Sequence, residues 1–278
     1  EFRRVLFRSR EVDKASRGNT TLKLKIMVGG ARESWHCFNK DIQFFSANFT
    51  KPKDVPGGDD PMLMFFTSGT TSYPKITTHN YKYPLGHYIT AKYWHQVDPD
   101  GIHFAISDTG WGKALWGKLY GQWICEAPIF TYDIDDFDAK KILQMIEKYK
   151  ITTFCAPPTA YRVMVHLQLE KYDLSSLQNV TTAGEALNPK IYEKFKEKTG
   201  FDIMEGFGQT ETTMLIGNIK GMTPRPGSMG KPSPLYEVAV MLSDGSIAKT
   251  GEEGEIVVKV ADGVPNGLFT GYYNDKEK

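Results

Sequence analysis

The sequence carries little net charge: 34 Lys and Arg against 33 Asp and Glu leave +1 at pH 7 over 278 residues. Such a chain has no global field to steer it onto nucleic acid or an anionic lipid surface, so any anion it recognises must be recognised locally. Cysteine is scarce too. Cys37, Cys125 and Cys155 are odd in number and widely spaced, with no CxxC pair. That excludes a disulfide framework and a zinc ribbon, and fits a reducing compartment. Cys125 and Cys155 sit in apolar runs and read as buried thiols. No stretch approaches the roughly 18 apolar residues that would suggest a membrane span. There is no internal repeat and no low-complexity tract. What is present is ordinary: 40% hydrophobic and 24% charged residues describe a globular protein and exclude collagen-like, coiled-coil and disordered classes. The length suits about two domain-sized units.

The ends are unusual. The first ten residues, EFRRVLFRSR, carry four arginines against one acid, and the chain does not begin with Met. A transit peptide would be Arg-rich and acid-poor, but the segment is short, so residues 1–10 read as linker-like and are set apart from the fold. The polar stop at 274–278 suggests a piece of a longer protein.

Between the ends, strand and helix patterns alternate. Residues 19–30 read as a strand entering the Gly29-Gly30 turn. Met62 to Phe66 reads as a buried strand, and Ile102 to Ile106, Ala127 to Thr131, Ile151 to Cys155 and Leu177 to Thr182 read as strands. Helices are predicted over 112–124, over 138–149 with Ile142, Ile146 and Tyr149 on one face, and from Pro157-Pro158 to about Glu170. A last one runs from the Asn188-Pro189 start to Gly200. This alternation predicts an α/β fold with a mostly parallel sheet and helices on its faces, over 11–216. From 217 the chain turns Pro- and Gly-rich. Tyr236 to Leu242, a turn at Asp244-Gly245 and Glu255 to Val260 then predict a smaller antiparallel, β-barrel-like unit over 217–278.

The first chemical signal is Thr67-Ser68-Gly69-Thr70-Thr71-Ser72-Tyr73-Pro74-Lys75, directly after the strand at 62–66. Loops at the C-terminal ends of parallel strands are where α/β sheets bind ligands. Hydroxyls and backbone N–H groups there can cradle phosphate, and Lys75 adds a point charge. A Walker A sequence is absent. A polar surface loop is the alternative.

The nine residues resemble the TSGTTGxPK signature of the adenylate-forming (AMP-dependent synthetase/ligase) superfamily. Ala183-Gly184-Glu185-Ala186-Leu187 is similar to that family's GEP/AL segment, and Gly206-Phe207-Gly208-Gln209-Thr210-Glu211 to its [YF]GxTE segment. Ser107-Asp108-Thr109-Gly110-Trp111 resembles the SDTGW of the short- and medium-chain acyl-CoA synthetase branch. The motifs stand in family order, and the resemblance covers about 19–278. Ser72 departs from the pattern, standing where the family usually has Gly. If that position needs φ > 0, Ser costs about 1 kcal/mol or more in strain.

The resemblance implies ATP, Mg²⁺ and coenzyme A as cofactors and a small carboxylic acid as substrate. The carboxylate attacks the α-phosphorus of ATP, pyrophosphate leaves, and a thiol then displaces AMP. Negative charge accumulates on phosphoryl oxygens in that step, so the site must supply cations and oriented donors. By resemblance, residues 67–75 close over the β- and γ-phosphates with Lys75 among them, Thr210 donates to the α-phosphate, and Glu211 holds Mg²⁺. The Phe207 ring stacks on adenine, and the backbone of 183–185 lines its other side, with Gly206 and Gln209 in the same segment. Each residue has a plainer alternative: Glu211 at a helix start, Phe207 in the core, Glu185 in a turn. Gly208 stands where the acetate-using branch has a capping Trp, which predicts an open volume and an acid longer than acetate, with Trp111 and Tyr161 as pocket walls or, equally, core. The histidines at 36, 79, 87, 95, 103 and 166 are scattered; His79 follows the loop by four residues and is a candidate to approach the pocket.

The family's ribose-binding Asp and its small C-terminal lid domain with a further Lys would lie beyond Gly271-Tyr272-Tyr273, so the chain alone is expected to be nearly inactive. A carrier-protein thiol in place of CoA, and a nucleotide-binding piece without turnover, are the other readings. No nucleic-acid partner and no membrane span are expected. The compartment is expected to be the cytoplasm, or the mitochondrial matrix if the source is eukaryotic.

Overall fold

The computed structural model describes residues 2–67, 74–107, 112–133 and 136–273. Two compact units divide at Val55/Pro56. In the first, α1 (Phe2–Ala15) precedes β1 (Ile26–Met27), β2 (His36–Cys37) and α2 (Phe38–Asp41), and β1 and β2 pair in parallel. Asp13 near the end of α1 accepts hydrogen bonds from Lys25, Arg32 and Trp35, which hold its carboxyl well below the usual carboxylate range. Helix α1 runs unbroken through residue 10, where the sequence suggested a boundary; Arg and Leu are good helix formers, so a basic composition does not oppose a helix. The strand expected over 19–30 shrinks to two paired residues, because an alternating pattern forms a ladder only where a partner lies beside it.

The second unit begins with β3 (Pro61–Thr67) and β4 (Lys75–Asn80). These pair antiparallel, so the loop after 67 joins two antiparallel strands instead of leaving a parallel one, a correction to the sequence reading. Nor is β3 buried: Met64 and Phe66 are exposed and Met62, Leu63 and Phe65 half-buried, so the apolar run marks a strand but neither its burial nor which way its neighbour points. Helix α3 (Tyr83–Ile89) continues into a π-helical turn, Thr90–His95. Then come β5 (His103–Ala105), α4 (Lys113–Lys118), α5 (Tyr120–Ile124), β6 (Ile129–Phe130), α6 (Ala139–Tyr149), β7 (Thr153–Cys155) and α7 (Pro158–Met164). The single helix expected over 112–124 is broken at Leu119, whose φ of −144° and ψ of −94° are not helical. Helix α7 stops at Met164 rather than near 170, and a short 3-10 turn follows at Leu169–Lys171.

The remaining elements are β8 (Asn179–Ala183), α8 (Pro189–Thr199), β9 (Ile203–Phe207), β10 (Ile216–Gly217), β11 (Lys231–Pro232), β12 (Val238–Met241), β13 (Glu255–Val258) and β14 (Gly271–Tyr272). Local chemistry sets the longer helices. The Asp138 carboxylate accepts from the Lys140 and Lys141 amides at the start of α6. Asn188 caps α8, and Gly200 ends it at φ 79°, a left-handed position that favours glycine.

Strands β5 to β11 form one sheet of seven in the order β11-β10-β9-β8-β7-β5-β6. Its centre, from β6 to β9, is parallel, and β10 and β11 add antiparallel. The α/β expectation is met. The sheet runs on past residue 217, while β12 and β13 make a separate antiparallel pair. The main core lies between the sheet and α6, α7 and α8, with Phe104, Ile142, Leu143, Ile146, Phe154 and Val180 buried in it. Tyr149, expected on the buried face of α6, is 41% exposed at the helix end. Cys125 and Cys155 are buried, as read.

Candidate functional site

Strand β4 brings the first candidate, Lys75, to the three-stranded sheet β14-β4-β3. The half-buried Lys75 ammonium lies 4.7 Å from the centroid of the Tyr272 ring on β14. That separation is within cation–π range. The Tyr272 hydroxyl donates to Glu211 Oε1 at 2.8 Å. Four residues after Lys75 on the same strand, His79 Nε2 donates to the Thr210 carbonyl oxygen at 2.7 Å. The His79 ring stacks against Tyr83 at 3.9 Å, and burial pushes its pKa below the ordinary histidine value, which favours the neutral ring. Backbone pairing closes the arrangement: the Phe269 amide donates to the Glu211 carbonyl oxygen, and the Thr270 amide to that of Thr78. Lys75, Thr210 and Glu211 are thus tied to one pair of strands, although they are far apart in sequence.

The second group comes from β8 and β9. Ala183 pairs with Gly206, so Gly184 and Glu185 leave β8 beside Phe207 leaving β9. Gly206 is a glycine for space: a Cβ there would lie 2.7 Å from the Trp94 indole. Gly184 takes φ 101°, which a side chain would strain. Glu185 is exposed and Phe207 half-buried. Buried Glu205 accepts from the Leu187 amide at 3.1 Å and so ties the 184–187 segment to β9; burial pushes its pKa up. Gln209 and Thr212 close a tight turn on each other, through the Gln209 amide to Thr212 Oγ1 and the Thr212 amide to the Gln209 carbonyl. Glu211 lies in this turn and starts no helix, so opposing a helix dipole is not its role. A five-residue path along one segment therefore joins Phe207 to Glu211.

Several expectations need correction or fall outside the description. Tyr161 is fully buried in the main core, its ring edge-on to Phe195 at 5.1 Å and its hydroxyl donating to the Thr181 carbonyl; it packs the core and walls no open pocket. The open volume expected at Gly208 is not there. A Cβ on Gly208 would collide with the Trp116 ring and lie 2.5 Å from the Thr213 carbonyl oxygen. Trp116 fills that space, packed with Trp94, Cys155 and Met204 in a second small core. Ser68, Gly69, Thr70, Thr71 and Ser72 of the first motif, and Trp111, lie outside the described residues; Thr67 ends β3.

The sequence reading missed three residues. Tyr272 bridges Lys75 and Glu211. Lys113 donates to the Ala183 carbonyl at 2.5 Å, and Lys118 to that of Ser107 at 2.9 Å, so α4 pins the ends of β8 and β5. Nothing local marks Tyr272 and Lys113, whose contacts join elements far apart in the chain, while Lys118 reaches back 11 residues to Ser107.

Among the described residues no cluster of three metal-ligating side chains occurs. Glu211 nevertheless suits a magnesium ion, because a hard carboxylate with one oxygen engaged by Tyr272 fits an ion that takes its other ligands from phosphate and water.

The architecture is that of the large domain of adenylate-forming enzymes. A profile of the AMP-binding enzyme family matches residues 4–273, and the chain belongs to that family. Among curated proteins it is 38% identical to human mitochondrial acyl-coenzyme A synthetase ACSM3 over 96% of this chain and 46% of that protein. It is 36% identical to human mitochondrial ACSM4 over 92% of this chain and 44% of that protein. Among solved structures, an anthranilate CoA ligase in complex with anthranoyl-AMP superposes with a TM-score of 0.83 at 27% identity, over 95% of this chain and 50% of the other. A Brucella canis acyl-CoA synthetase shares the fold, with a TM-score of 0.78 at 24% identity, over 95% and 53% of the two chains. The chain spans about half the length of the curated relatives it matches.

Proposed function

We propose that this chain holds the ATP-binding and acid-activating site of an AMP-forming acyl-CoA synthetase. The observation that carries the reading is the linkage of Lys75 to Glu211 through Tyr272, with Thr210 held beside them by His79. In this reading the 67–75 loop and Lys75 take the β- and γ-phosphates, and Thr210 donates to the α-phosphate. Phe207 and the 183–185 backbone, with Gly206 and Gln209, enclose adenine. Glu211 holds Mg²⁺, which neutralises phosphate charge when bound. The protein's own contribution is a fixed cation, a fixed carboxylate and oriented donors where negative charge gathers. The names of the curated relatives support coenzyme A as the acceptor over a carrier-protein thiol, and the SDTGW segment at 107–111 supports a carboxylic acid of short-to-medium or branched chain as the substrate class. Trp116 fills the space beside Gly208, so the missing side chain there opens no room for a longer acid. The relatives' mitochondrial location supports the matrix as the compartment.

A second reading is a nucleotide-binding unit without turnover. ATP–pyrophosphate exchange with acids from acetate to octanoate separates the two. Acid-dependent exchange is expected of the synthetase reading, and MgATP binding without exchange of the second. Absence of both contradicts the assignment of the site.

A further inference from the structure

Lys75 and Glu211 carry opposite charges in one site, yet among the described residues neither takes part in an ion pair. Each meets Tyr272 instead. The ammonium faces its ring at 4.7 Å, and the carboxylate accepts from its hydroxyl at 2.8 Å. The register explains how one side chain reaches both. Tyr272 pairs with Thr77, so Lys75 is its diagonal neighbour on the same face of the sheet. Phe269 packs edge-on to the ring at 5.0 Å, and its amide binds the Glu211 carbonyl. The entry to β14 therefore fixes the backbone of Glu211 while Tyr272 fixes its carboxylate.

We propose that Tyr272 is a positioning residue, a spacer that keeps Lys75 and Glu211 apart and oriented until a phosphate and its cation arrive. Without it, the two side chains would pair with each other, and both groups needed by the nucleotide would be occupied. The proposal rests on the roles given above to Lys75 and Glu211, and it divides Tyr272 into two parts that act separately: the hydroxyl on Glu211, the ring on Lys75.

The test is a double-mutant cycle read by displacement of a fluorescent nucleotide with MgATP, which reaches millimolar affinities. Tyr272→Phe keeps the ring and removes the hydroxyl. It should weaken MgATP binding about tenfold, the loss expected for a hydrogen bond to a charged group. In a Glu211→Ala background the same change should cost less than about twofold, because the acceptor is already gone. Tyr272→Leu should weaken binding beyond Tyr272→Phe, and that excess should vanish with Lys75→Met. Urea unfolding of each variant checks that the fold is kept; Tyr272→Phe retains the packing against Phe269. Unchanged binding in Tyr272→Phe, or an equal loss in both backgrounds, overturns the spacer alone. Failure of the unmutated chain to bind MgATP overturns the reading of the site and the spacer with it.

Discussion

The seven-stranded sheet and the three-stranded sheet β14-β4-β3 share one compact unit but are built differently. In the large sheet every residue of β7 and β8 is buried, and helices cover the faces. In the small sheet β3 alternates between half-buried and exposed residues, with Phe66 77% exposed. The large sheet buries apolar area; the small one carries Lys75, His79 and Tyr272. Stability is thus housed mainly in the large sheet, while the candidate site draws on both: Lys75 and Tyr272 from the small sheet, and Gly184, Glu185 and Phe207 from strand ends of the large one. A change in the core of the large sheet should leave the site largely intact, and a change at the site should leave stability so.

The largest separation should come from Phe154→Ala in β7. Deleting a fully buried ring is expected to cost about 3–5 kcal/mol, measured by urea unfolding, with MgATP affinity of the folded fraction unchanged. Glu211→Gln should do the reverse, weakening MgATP about 100-fold in a titration while the unfolding midpoint barely moves. A large stability loss in Glu211→Gln would blur the division.

Acid sharpens the comparison from the other side. Burial pushes His87 and His103 down to about 3, and it lowers His79 and His95 as well. These rings are neutral when folded and take up protons on unfolding below the ordinary histidine value of about 6.5. Their contribution is therefore complete above that pH. It is lost as pH falls toward 3, by about 1.4 kcal/mol per pH unit for each fully buried ring. Unfolding midpoints at pH 7.5, 6.5 and 5.5 check this, and His103→Asn should flatten the slope. A pH-independent midpoint would contradict the burial.

A smaller effect tests the junction of the two layers. Gly208→Ala forces a methyl against Trp116 and the Thr213 carbonyl, at a cost of about 1–3 kcal/mol. Trp116→Leu in the same chain should recover part of that loss in urea unfolding. No recovery would mean that the backbone contact, rather than the indole, sets the limit.

The large sheet was readable in the sequence because its signals are local. Helix α8 has its Asn188-Pro189 start and Gly200 stop, α6 has its apolar face, and the segments 151–155 and 177–182 that hold β7 and β8 are rich in β-branched residues. The small sheet was not. The run at 62–66 marked a strand but not its antiparallel partner, and nothing before Leu119 announced the break between α4 and α5. The three motifs singled out Lys75, Phe207 and Glu211; Tyr272 links the first to the last, and one short stretch of chain joins Phe207 to Glu211. The contacts that join or limit them were invisible, because Tyr272 on Glu211 and Trp116 on Gly208 each span many residues of chain. The histidines at 79, 87, 95 and 103 looked scattered, yet each is buried. Burial of a polar ring is decided by what packs around it, not by its own position.

The central claim is that distant segments of this chain grip one ATP. A crystal structure of the chain grown with ATP and magnesium tests it directly. The account predicts phosphates between Lys75 and Thr210, a metal on Glu211 and adenine between Phe207 and the 183–185 backbone. Nucleotide bound elsewhere, with Lys75 and Glu211 untouched, would contradict it.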